Sequence, residues 1–142
     1  MLGNINASAN LAVKNLAVAR KFYEDTLGLT PVGSEGDELV VYRSGQTTLN
    51  VYESDKAGTN EATAVTWSVG NRVEEVVEAL AAKGVTFEHY NMPGMTRKGD
   101  VHIGGDMRVA WFKDPDGNIL NIVSRQATHT MARTLESQFL PP

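Results

Sequence analysis

The chain of 142 residues carries 42% hydrophobic and 21% charged residues with a net charge of -4, a balance that suits one core-bearing domain and offers no basic surface for nucleic acid. No apolar run approaches the ~20 residues a membrane span needs, and the start Met1-Leu2-Gly3-Asn4 lacks the basic-then-apolar order of a secretory leader, so a cytoplasmic protein with no membrane partner is expected. With no cysteine, disulfides, thiolate nucleophiles and Cys-ligated metal centres are excluded together.

Taken in chain order, Ala7 to Val13 is a weakly alternating strand ending at Asn15, whose side chain can cap a helix. The helix follows from Leu16 to Leu27, because Leu16, Ala19, Tyr23 and Leu27 fall near one face, and Gly28 stops it. Thr30 to Val32, Glu38 to Arg43 and Thr47 to Glu53 read as strands separated by glycine-bearing turns. Ser54 to Glu61 is a polar connector. The same order then returns: Thr63 to Val69 is a strand, Asn71 a cap, Val73 to Lys83 a helix, Gly84 its stop, and Val85 to Tyr90 a strand. A loop is expected from Asn91 to Gly105, and then a hairpin from Ala110 to Arg125 turning at Asp114-Pro115-Asp116-Gly117, where proline presets φ and glycine accepts positive φ. Thr128 to Leu140 places Met131, Leu135 and Phe139 on one stripe of a short amphipathic tail helix.

The repeat is visible in residues as well as elements. Val13, Asn15 and Gly28 recur 56 positions later as Val69, Asn71 and Gly84, and Leu49-Asn50-Val51 matches Leu120-Asn121-Ile122. An α+β domain spanning residues 1–142 is expected, built of two tandem β-α-β-β-β modules at about 6–54 and 63–125, with a connector at 55–62 and a helical tail at 126–142.

Val13-Lys14-Asn15, Phe22-Tyr23 and Leu27-Gly28-Leu29 in the first module, with Trp111 to Asn118 in the second, resemble the vicinal oxygen chelate superfamily of glyoxalase I, extradiol dioxygenases, and fosfomycin- and bleomycin-resistance proteins. The resemblance covers roughly residues 7–124 and implies a cupped, mostly antiparallel sheet with helices on its outer face, and a homodimer. It also implies a metal held, in the enzymes, by one residue from the first and one from the last strand of each module, usually His, Gln or Glu. In register those positions are Ser8, Ala64, Asn50 and Asn121, none an imidazole or carboxylate, so no metal and no cofactor are expected.

If Asn50 and Asn121 face the cavity, strand alternation puts Ser8, Asn10, Thr48, Tyr52 and Thr66 with them, sends Leu49, Val51, Leu120 and Ile122 under the helices, and places Trp67 in the core. Trp111, whose facing the pattern leaves open, joins this ligand-binding set. His89, His102 and His129 share no metal spacing and read as surface or rim residues. His102, in the glycine-bearing loop, and Tyr52 are the acid-base candidates. The expected function is therefore metal-free binding of an amphiphilic or aromatic small molecule, as the bleomycin-resistance proteins do. The alternatives are a metal-independent isomerase, lyase or hydrolase, and a lactoylglutathione-lyase-like or dioxygenase-like enzyme with atypical metal ligands.

Overall fold

The structure, a computed structural model, describes residues 1–125; the expected tail helix and His129 lie outside the described residues. Two sheets and two helical segments form α+β modules of the expected kind. The described chain falls into two compact units, Met1–Val65 with Lys113–Leu120, and Thr66–Phe112 with 121–125.

In the first unit, β1 (Ala9–Val13), β2 (Thr30–Glu35), β3 (Leu39–Ser44) and β4 (Thr47–Glu53) form a sheet ordered β1-β4-β3-β2. β1 runs parallel to β4, and the other neighbours are antiparallel. Alternation sends Leu11, Val13, Val40, Tyr42, Leu49 and Val51 to one buried face. That face is covered by α1 (Leu16–Arg20) and the wider turn of Lys21–Thr26 that continues it, in which Leu27 N–H bonds Phe22 C=O at 2.9 Å, five residues back. Asn15 Oδ1 accepts from Val18 N–H at 3.2 Å, so the expected cap is in place. Leu16, Ala19 and Tyr23 are the buried stripe, each large side chain contributing about 1.5–3 kcal/mol by burial.

Asp114 organises the hairpin turn from inside the same unit. Its Oδ1 accepts from the N–H groups of Asp116 and Asn118, both at 2.9 Å, and its Oδ2 from Tyr23 Oη–H at 2.7 Å and Asn118 Nδ2 at 2.8 Å. Asn118 Nδ2 also donates to Ala12 C=O at 2.8 Å, tying the turn to β1. Burial, then the Asp114 carboxylate, pushes the Tyr23 phenol well above its ordinary range, so it stays a neutral donor.

The second sheet is ordered β5-β10-β9-β8-β7, from β5 (Thr63–Ser68), β7 (Thr96–Lys98), β8 (Val101–Gly104), β9 (Met107–Lys113) and β10 (Ile119–Val123), with β6 (Phe87–Glu88) pairing to β9. The run β5-β10-β9-β8 repeats the order β1-β4-β3-β2, so the repeat read in residues is a repeat of topology. α2 (Val73–Ala82) buries Val73, Val77 and Leu80. Its start differs from expectation: a tight turn at Gly70–Arg72 precedes it, and Arg72, not Asn71, occupies the cap position. No helix among the described residues is long and apolar enough to cross a membrane.

Three further expectations are corrected. Asn91 to Gly105 is not one loop, because Thr96–Lys98 and Val101–Gly104 form a hairpin turning at Gly99. Four glycines hid a β-forming core at Val101-His102-Ile103. The preceding strand is only two residues long, and Trp67 is half-buried rather than enclosed.

Candidate functional site

The sequence candidates fall into two groups, one in each unit. In the first, the face opposite the core carries Ser8, Asn10, Thr48, Asn50 and Tyr52. Asn10 stands across from Asn50, and Asn50 Nδ2 donates to Asn10 Oδ1 at 3.1 Å. Ser8 Oγ and Thr48 Oγ1 share a hydrogen bond of 2.6 Å. Arg43, whose facing the sequence leaves open, is exposed beside Thr48, and Tyr52 is 36% exposed at the far end. These groups satisfy one another on a wet surface. A cavity of about 380 Å³ at Lys14, Glu38 and Glu53 is likewise rimmed by charges with structural work, since Glu53 Oε1 accepts from Leu16 N–H at 3.0 Å.

The second unit holds a different arrangement. Backbone bonds at the two ends of the β9–β10 hairpin, Asp114 N–H to Asn118 C=O and Ser124 N–H to Arg108 C=O, both 3.0 Å, set a register in which Trp111 stands across from Asn121. Val109 is on the same side of β9 and pairs with His102 of β8. One face therefore gathers His102, Trp111 and Asn121, 1%, 9% and 8% exposed. Rings seal it: His102 meets Trp111 edge-on at 4.9 Å between centroids, and Tyr90 meets Trp111 edge-on at 5.3 Å. The opposite face sends Phe112, Leu120 and Ile122 into the core, with Phe87 against Phe112 at 5.7 Å.

Two polar atoms in this face have no hydrogen-bond partner among the described residues, His102 Nδ1 and Asn121 Oδ1. His102 Nε2 accepts from Tyr90 N–H at 2.9 Å. An imidazole accepting at one nitrogen carries its proton on the other, so the bonding assigns a neutral ring whose Nδ1–H points at no acceptor. The face thus presents one unused donor and one unused acceptor in an aromatic setting. A cavity of about 340 Å³ opens beside His102, walled by Tyr90, Arg97 and the loop bearing Met92 and Met95.

His102 is not the rim residue expected from sequence; it is a strand residue that the repeat pattern did not single out for burial. Its tautomer also counts against a base role, because Nε2 is occupied and Nδ1 already holds a proton. Sequence pattern leaves the facing of Tyr90 open, and ring geometry brings it to Trp111. Thr66, on β5, is exposed. His89 is exposed and paired with Asp100 at 2.8 Å.

The register that the family resemblance implies puts the metal-ligand positions at four residues. Ser8, Ala64, Asn50 and Asn121 offer at most neutral oxygen, and among the described residues no three His, Asp or Glu side chains converge. The residues present do not fit the divalent ion.

A family model described as the Glyoxalase/Bleomycin resistance protein/Dioxygenase superfamily matches residues 5–122. No curated protein matches by sequence. Among solved structures, the fosfomycin resistance protein FosX from Listeria monocytogenes is similar with a TM-score of 0.67 at 16% identity, over 89% of this chain and 97% of that one. Lactoylglutathione lyase from Agrobacterium tumefaciens gives 0.63 at 18% identity, over 84% and 92%. TnmS3, an antibiotic binding protein from Streptomyces sp. CB03234, gives 0.60 at 18% identity, over 86% and 96%. At these identities the likeness speaks for fold alone.

Proposed function

The chain belongs to the Glyoxalase/Bleomycin resistance protein/Dioxygenase superfamily, and within it we propose that it is a metal-independent binding protein for an aromatic or amphiphilic small molecule, held on the face of His102, Trp111 and Asn121. The observation carrying this reading is the pair of buried, unpartnered polar atoms, His102 Nδ1 and Asn121 Oδ1, around the Trp111 indole. Each such atom costs about 1–3 kcal/mol when left unpaired. A ligand presenting an acceptor to the imidazole N–H and a donor to the amide oxygen relieves both, while its apolar part stacks against Trp111 and Tyr90. Binding, rather than proton abstraction, suits the assigned tautomer of His102. The similarity to TnmS3, an antibiotic binding protein, is consistent with this use of the fold.

The donor set that fails to fit a divalent ion supports metal independence. Elemental analysis of protein purified without chelator is expected to find no stoichiometric metal, and one equivalent of nickel, zinc, iron or manganese overturns that part of the proposal. Ligand binding is checked by tryptophan fluorescence against a panel of aromatic and amphiphilic compounds, using Trp67→Phe to leave Trp111 as the reporter. A saturable change that weakens in Asn121→Leu is expected. A panel that leaves Trp111 unmoved throughout speaks against the site.

A further inference from the structure

We propose that the cavity beside His102 is an anion site, taking a small monocarboxylate whose body is apolar, with Arg97 as the arm that grips the carboxylate. The proposal rests on the small-molecule reading above and adds the chemical class of the ligand.

Arg97 and His102 are directly paired across the antiparallel β7–β8 hairpin, so their side chains leave the sheet on the same side. Both line the cavity of about 340 Å³. Arg97 commits Nη1 to Gly99 C=O at 2.7 Å, and the rest of its planar fork has no partner among the described residues. His102 backs the wall as a buried ring whose Nε2 is held by the Tyr90 N–H at 2.9 Å. A guanidinium fork on the cavity wall provides donors only, which suits a carboxylate and not an amine or a cation.

Charge sets the valence. Among the described residues Arg97 is the one fixed cation lining the cavity, which matches a monoanion better than a phosphate dianion. The hairpin's own carboxylate, Asp100, is engaged by His89 Nε2 at 2.8 Å and does not fill the site. The remaining walls are apolar and adaptable. Tyr90 lies 6.3 Å from His102 between ring centroids, and Met92 and Met95 supply thioethers. Met95 packs on bare Gly104, where an added Cβ would stand 3.0 Å from its Cγ, so the glycine is what lets this wall close down on the strand. The volume lies at the low end for small-molecule pockets, which limits the body to one or two rings.

Phenylacetate, its neutral isostere phenylacetamide, and phenyl phosphate distinguish the cases, followed in the full chain by the ¹H–¹⁵N shift of the Tyr90 amide, whose proton bonds His102. Phenylacetate is expected to bind about tenfold more tightly than the amide, a preference abolished in Arg97→Gln and kept in Arg108→Gln, whose arginine pairs with Glu74 instead. Equal affinity for acid and amide, a preference that survives Arg97→Gln, tighter binding of phenyl phosphate, or no binding of phenylacetate at millimolar concentration each overturns the monocarboxylate site. Amide binding that shifts Tyr90 equally would remove the anion site and leave the small-molecule reading standing. That reading falls only with a silent compound panel.

Discussion

Asn121 Oδ1 is a buried acceptor with nothing to accept from among the described residues, and this sets a stability cost against a binding use. Asn121→Leu, close in volume, is expected to stabilise the free protein by about 1 kcal/mol in urea denaturation while weakening ligand binding on the Trp111 face. A loss of stability on this substitution would mean that the amide is satisfied in solution. Asp114 is the opposite case, a buried carboxylate with four donors assigned to its two oxygens. Asp114→Ala strands the Tyr23 hydroxyl, the Asn118 amide and two backbone N–H groups, and is expected to cost about 3–5 kcal/mol by chemical denaturation. Tyr23 titrates well above its ordinary value of 10.0 in the folded state because burial and the Asp114 carboxylate both oppose its anion. A raised folded pKa gives stability that is complete below the unfolded value and is lost as pH climbs beyond it, so unfolding free energy should fall above pH 10.0. Tyr23→Phe should cost about 1–2 kcal/mol at neutral pH and flatten that alkaline decline.

At the scale of elements, the Asp114–Asn118 turn and the connector meet inside the first unit at Gly58. Its φ is +77°, and a Cβ there would lie 2.3 Å from the Asp116 carbonyl oxygen, so backbone has to move. Gly58→Ala is expected to lower stability by about 2–4 kcal/mol in thermal or urea unfolding. Gly45→Ala, at φ +58° with open space around it, should cost only about 1 kcal/mol. A matching loss at both would show that φ alone, and not the close approach, makes glycine necessary at residue 58. The β7–β8 hairpin carries the other element-scale lesson. Val101-His102-Ile103 has the composition of a strand, but Gly94, Gly99, Gly104 and Gly105 around it gave the stretch a loop's appearance. With that strand formed, His102 stands buried within the sheet and not on a rim.

For the molecule as a whole, the matching orders β1-β4-β3-β2 and β5-β10-β9-β8 show one module used twice. The copies have diverged in what they do with their polar face. Asn50 is half-buried and bonded to Asn10, while Asn121 is buried and its oxygen unpartnered. A homodimer is proposed from family resemblance, and light scattering should give twice the 15.4 kDa chain mass; a monomer at working concentration refutes it. Legible without the fold are the repeat, the α1 cap, the Asp114 turn, much of the helical and strand periodicity, and the uncharged donor types of Ser8, Ala64, Asn50 and Asn121. These are local properties, written in side-chain spacing, turn residues and donor type. Only the fold gathers Tyr90, His102, Trp111 and Asn121 around one cluster, turns His102 Nε2 to the Tyr90 N–H, and pairs Arg97 with His102 across the hairpin. Those facts depend on strand register and ring packing between segments distant in the chain, and a shift of one residue in any pairing would have sent each side chain to the other side.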